Sequence, residues 1–408
     1  MIRSLIIGVC FLAVLSACES TPKKLDEEKL AYISSIKTIS VNPLWSVQLA
    51  DHGINRISKQ RATLSDKILY VADHSGLVMA LHADSGKHIW KKQFTDAFTA
   101  GPNVANNYLA LGTRDAGVLL LDKNDGQLIW KKSVSSEILA APQISSSNVI
   151  VQSNDGKITA LDLRSGEQVW VYDRNVPPLT LRGTASPVIT EDKVITGFAN
   201  GKLVALSVDD GKMIWETTIA VPKGRSELER MVDVDGLIQV HDDTVYVSSF
   251  QGRAVALTAG TGRILWTREM SSHLGVSMAN DLLFITDVDG KIWALDRRNG
   301  STLWVQEKLK KIVTTTPLVV AENLIVGGID GSIFSLAKED GKVLGRVDYQ
   351  WLGEETGIIN LAESTEVKNA FDAAHDIEDV RVISPPLSNG KQIFVPYQNG
   401  AFISLAYK

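Results

Sequence analysis

The chain has 408 residues, 44% of them hydrophobic and 22% charged, with a formal net charge of −5. That balance is ordinary for a soluble globular chain with a large core, and its sign argues against a nucleic-acid partner. Only two cysteines are present, which excludes a disulfide-stapled scaffold.

Residues 1–17 carry Arg3 and then an apolar run from Leu5 to Leu15, too short to span a bilayer as a lasting helix. The run ends in Leu15-Ser16-Ala17-Cys18, which resembles a bacterial lipobox, where the Cys becomes the lipidated first residue of the mature chain. An ordinary secretory peptide with an incidental Cys is the alternative. Acyl chains on Cys18 would hold the protein to a membrane through buried methylenes. In lipobox proteins an Asp after the Cys favours the inner membrane, so Glu19 leans towards the outer membrane and its periplasmic face. Cys10 leaves with the signal, so no disulfide can form within the mature chain. Residues 18–40 are polar and charged and read as a flexible tether, with a reach of roughly 70 Å when extended. A short helix over Leu25–Ile36 is compatible with their pattern.

From residue 41 onward one pattern recurs. In Gly201-Lys-Leu-Val-Ala205-Leu206 a strand ends in an apolar pair. Asp209-Asp210-Gly211 makes a turn, and Met213 and Trp215 share one face of the returning strand. Copies with Ala-Leu, Gly and Trp end at Trp90, Trp170, Trp266 and Trp304, and a copy with Leu120-Leu121 ends at Trp130. The copy Gly331…Ser335-Leu336…Gly341…Gly345 has lost its Trp. The last, Gly400…Ser404-Leu405, stops with the chain at Lys408, and its missing strand is found around Trp45. The mean period is about 43 residues, the length of a propeller blade. Two further strands precede each hairpin. Pro102, Pro142, Pro187, Pro317 and Pro385 open inner strands, and Asp155-Gly156, Asn200-Gly201, Asp289-Gly290, Asp330-Gly331 and Asn399-Gly400 turn between strands two and three. The prediction is an all-β, eight-bladed β-propeller of four-stranded antiparallel blades over residues 41–408. Its last blade is closed by the N-terminal strand around Trp45. The Trp and Ala positions read as packing between blades.

Function is expected where the period lengthens. From the Trp to the next inner strand takes 12 residues at Trp90–Pro102, but 17 at Trp170–Pro187, 23 at Trp215–Ile238 and 40 at Gly345–Pro385. All are connections of one kind and emerge on one face of the ring. The first two long ones are neighbours, so Leu179, Leu181 and Arg182 should meet Asp233 and Asp235. Apolar tips among charges suit a protein–protein contact. The bland alternative folds the Leu residues back onto the ring and pairs Arg182 with an Asp. Within Glu354–Asp379 eight acidic residues stand beside one Lys, with Val367, Phe371 and Ile377 among them. This reads as a solvated acidic excursion, or as a short amphipathic helix or docking surface.

The Ala-Leu-Asp-x-x-x-Gly-x-x-x-Trp repeat resembles the quinoprotein (PQQ-type) propeller family. Leu179-Thr-Leu-Arg-Gly183, Asp233-Val-Asp235 and the lipobox narrow that resemblance to the propeller lipoproteins of the outer-membrane β-barrel assembly machinery, the Bam complex. The similarity covers essentially the whole chain, and residues 346–384 are longer than its pattern expects. It implies a non-enzymatic scaffold that aids assembly and insertion of outer-membrane proteins. Such a scaffold would bind the periplasmic POTRA region of BamA through Leu179, Leu181, Arg182, Asp233 and Asp235, with Glu227 and Arg230 in the same loop. Strand edges on the rim could in addition pair with unfolded outer-membrane protein clients by β-augmentation.

A quinoprotein dehydrogenase is the rival. Such enzymes need an axial cofactor pocket with a Ca²⁺ site, and commonly a disulfide between adjacent Cys. The chain has no Cys pair, and its seven His are scattered without metal-ligand spacing. No catalytic residue, cofactor or metal is therefore expected. An envelope lipoprotein that binds another peptide or glycan partner is the third reading.

Overall fold

The computed structural model describes residues 27–39, 41, 43–49, 62–174, 176–177, 179–181, 185–348, 381–382 and 384–407. Cys18, Arg182 and the whole acidic excursion Glu354–Asp379 lie outside them. The chain divides into two compact units, Met1–Ser35 and Ile36–Lys408. In the first, an α-helix spans Glu27–Ser35, with two acidic residues in its first turn, where the helix dipole favours negative charge.

The second unit is an eight-bladed β-propeller. Its described residues form eight four-stranded antiparallel sheets, seven of them continuous in sequence. Blade four shows the plan, with an inner strand Val188–Ile189 followed by Lys193–Gly197, Lys202–Ser207 and an outer strand Met213–Thr218. Ala205 stands opposite Trp215, and the register slips by one residue immediately after that pair. The slip recurs after Ala80, Leu120, Ala160, Ala256 and Ala294, each opposite a Trp. Alternate residues of the middle strands face the two neighbouring blades, so both faces are apolar and buried. Ile150, Ala160 and Trp170 of blade three, for instance, pack with Val194, Val204 and Leu206 of blade four.

Each Trp does two jobs at a blade junction. Trp45, Trp90, Trp130, Trp170, Trp215, Trp266 and Trp304 each donate an indole N–H to a carbonyl in the following blade, 2.8–3.1 Å away. The acceptors stand in the turns between third and outer strands, which satisfies a donor that packing would otherwise bury unpaired. The ring of each indole covers that turn's glycine. Gly262 has φ +68°, and a Cβ there would lie 2.6 Å from Trp215 Cε3. Both the backbone angle and the space require glycine.

The ring closes as the repeats imply. Pro43–Gln48 pairs antiparallel with Ala401–Ala406, placing Trp45 opposite Ser404. Trp45 also lies 5.8 Å from the Phe394 ring and 6.4 Å from Phe402.

Two details differ from the sequence reading. Pro102 does not open its strand but lies inside Phe98–Ala105, where the register is irregular and its missing N–H breaks no ladder. The ring also takes up part of the segment read as a tether: Thr38 bridges in parallel to Arg346, in the outer strand of blade seven.

Candidate functional site

Turns between second and third strands share a face with the outer-to-inner connections. Ile219 N donates to Gly201 O (2.8 Å), and Asn154 N to Glu137 O (2.8 Å). The two long connections described here, from blade three to four and from four to five, are neighbours on this face.

The first connection is tied down where it leaves the outer strand Gln168–Tyr172. Arg174 Nη1 bonds the carboxylate of Glu216, whose other oxygen takes the Lys202 ammonium. The Arg174 guanidinium also lies 5.6 Å over the Phe198 ring, a cation–π geometry. The Arg174 bond, with help from Lys202, holds the Glu216 carboxyl below the usual glutamate range. Beyond it, Val176 lies over Gly156, where a Cβ would come within 2.4 Å of Val176 Cγ2. Val176, Pro177, Phe198 and Ala199 line a small shallow cleft with Asn154 and Asn200, without any titratable side chain.

Leu179 and Leu181 follow, 40% and 37% exposed. They do not fold back into the ring, and the backbone explains why: the Leu181 N–H donates to Asp233 Oδ2 on the next connection. Leu181 and Asp233 are therefore brought together, as the sequence reading expects. The carboxylates themselves are not surface groups, since Asp233 is 0% and Asp235 5% exposed. They lie in a buried run, residues 231–236, between blades four and five. Val234 N donates to Phe198 O (3.3 Å), and Phe250 N donates to Asp233 O (2.8 Å). Val234 also fills the space above Gly197, whose Cβ would stand 2.5 Å from Val234 Cγ1.

Glu227 and Arg230 are exposed at the tip of the second connection. The tip is a capping box, a motif in which side chain and backbone exchange bonds at the start of a helical turn. Glu229 N donates to Ser226 Oγ at 3.2 Å, and Glu229 Oε2 accepts from Arg225 N at 2.6 Å and Ser226 N at 3.2 Å. Those backbone N–H groups, Arg225 first, lower the Glu229 carboxyl below its ordinary range. Gln251, from blade five, supports the turn from below, its amide nitrogen donating to Glu229 O at 2.8 Å and Met231 O at 3.2 Å in the orientation that satisfies both of its ends. The turn thereby presents Leu228, 62% exposed. Leu228 went unnoticed in the sequence, although Ser226-x-x-Glu229 is a readable turn signal.

The arrangement sets apolar side chains outward on two neighbouring connections, held by a buried carboxylate and a capped turn. Among the described residues no three His, Cys, Asp or Glu converge in a way that could hold a metal ion.

The family model described as "Outer membrane protein assembly factor BamB" matches residues 34–98 and 74–306. The chain is 38% identical over 335 residues to the outer membrane protein assembly factor BamB of Pseudomonas aeruginosa, covering 82% of this chain and 88% of that one. The crystal structure of BamB from Moraxella catarrhalis superposes with a TM-score of 0.75 at 23% identity, covering 90% of this chain and all of the other. A quinohemoprotein alcohol dehydrogenase from Pseudomonas putida HK5 shares the fold, with a TM-score of 0.66 at 13% identity over 91% of this chain and 78% of the enzyme.

Proposed function

The chain belongs to the family of the outer membrane protein assembly factor BamB, and on that premise we propose that it is a non-enzymatic scaffold in outer-membrane protein assembly. Its partner is the periplasmic POTRA region of BamA, within the Bam complex. Leu179, Leu181 and Arg182 form the contact, with Glu227 and Arg230 at its edge. Asp233 and Asp235 act from beneath it. The observation that carries this reading is the outward setting of Leu179 and Leu181, with the Leu181 amide held by a buried carboxylate of the neighbouring connection. Exposed apolar side chains on a preorganised loop lose little entropy on docking. Lipidation at Cys18 places the ring on the periplasmic face of the outer membrane.

The test is co-purification of the BamA periplasmic region with wild type and with Leu179→Ala, Leu181→Ala and Arg182→Ala together. The reading expects loss of the complex while the variant stays folded. Retained binding by a folded variant overturns it and favours another envelope partner. Quinone-dependent dye reduction by the purified protein would revive the dehydrogenase.

A further inference from the structure

Seven blade junctions carry a Trp that docks on a turn of the following blade, but the junction between blades seven and eight does not. Its Trp position is Gly345, opposite Ser335. Topology supplies the reason. The outer strand of blade eight comes from the N-terminus, so that blade has no turn between its third and outer strands. An indole at residue 345 would find no turn carbonyl for its N–H and no glycine to cover.

The N-terminal segment takes that place. Ile39 N donates to Arg346 O at 2.7 Å and Arg346 N donates to Lys37 O at 3.0 Å, around the parallel Thr38–Arg346 bridge. A Cβ on Gly345 would lie 2.3 Å from Ile39 Cγ1 and 2.5 Å from Cδ1. Ile39 and Val41 pack on the cluster that blades seven and eight share, beside Tyr407. Tyr407 itself donates its hydroxyl to Val320 O of blade seven at 3.1 Å.

We infer that residues 37–39 are a latch that clamps the N-terminal chain to the rim of blade seven. In an eight-bladed ring that junction is halfway round from the connection carrying Leu179 and Leu181. Anything upstream that anchors the chain then holds the ring by one fixed point on its rim, with those leucines on the far half. The inference stands on ring geometry and does not depend on which partner those loops bind.

Trypsin cleavage after Lys37 in the full-length chain reads the latch directly, because a protease needs the segment released from its strand partner. Wild type should be cut slowly there. Ile39→Ala should be cut about tenfold faster with unchanged tryptophan fluorescence, since only the local opening equilibrium moves. Gly345→Val should also accelerate cutting, because its side chain would meet both Ile39 and the Lys37 carbonyl, which lies 2.9 Å from the added Cβ. Should Gly345→Val not fold, Ile39→Ala alone carries the test. Equal cutting rates in wild type and Ile39→Ala overturn the latch.

Discussion

Asp233 accepts the backbone N–H of Leu181 across two separate connections, and the leucine stays at the surface while the carboxylate is buried. The bond converts two loops into one platform. Asp233→Ala should remove the acceptor of the Leu181 N–H and cost about 1 kcal/mol. Binding of the BamA periplasmic region should weaken further than that of Asp233→Asn, which keeps an oxygen for the amide. Titration calorimetry with both variants checks the ranking, and equal affinities would remove Asp233 from the platform.

Leu228 predicts the opposite pattern. It is largely exposed on a turn closed by Ser226 and Glu229, so Leu228→Ser should leave the melting temperature unchanged. If the partner's footprint extends over the second connection, affinity for the BamA region should fall severalfold. Glu229→Ala should instead loosen the turn, since the Arg225 and Ser226 amides lose their acceptor. Exchange of the Arg225 and Ser226 amides, measured at equilibrium, reports that loss.

The junction tryptophans should be costly to truncate. Trp215→Ala should lose about 3–5 kcal/mol, and Gly262→Ala, which adds a Cβ against the same ring at φ +68°, should lose more than about 1 kcal/mol. The two changes act on one contact, so their combination should be less than additive. Urea denaturation of the four-member cycle measures the coupling.

Acid should release the root of the first connection. Glu216 is held below its ordinary value of 4.5, chiefly by Arg174. Its contribution is therefore complete above that value and is lost as the pH falls through the lowered one. Exchange protection around Arg174 should decline below about pH 4.5 in wild type. The decline should be absent in Glu216→Gln, which starts unprotected. A wild-type profile that stays flat through this window would refute the role of the pair.

Much of the ring could be read from the chain because its packing is periodic. A Trp opposite an Ala and covering a Gly of the next blade repeats its chemistry in five blades, and Trp45 stands out as a strand without a hairpin. The latch could not be read that way. Gly345 looks like simple decay of the repeat until the strand order shows that its neighbour blade has no turn to receive an indole. The candidate site is legible in the lengths of its two connections and in Leu179 and Leu181, which are exposed. Asp233 and Asp235 misled in one respect, because carboxylates in a loop read as surface groups. Their burial follows from Val234 and Phe198 drawing the backbone inward, a long-range contact with no local signature.

Because Pro43–Gln48 completes a sheet with Ala401–Ala406, the first strand of the ring waits for the ring's last. A chain emerging amino end first can stack seven blades as it lengthens, each resting on the previous one. Until the final strand arrives, however, the strand around Trp45 has an open edge and its indole lacks the Phe394 and Phe402 rings. The interval between its appearance and that of Phe402 is the period in which this protein most needs a holding chaperone.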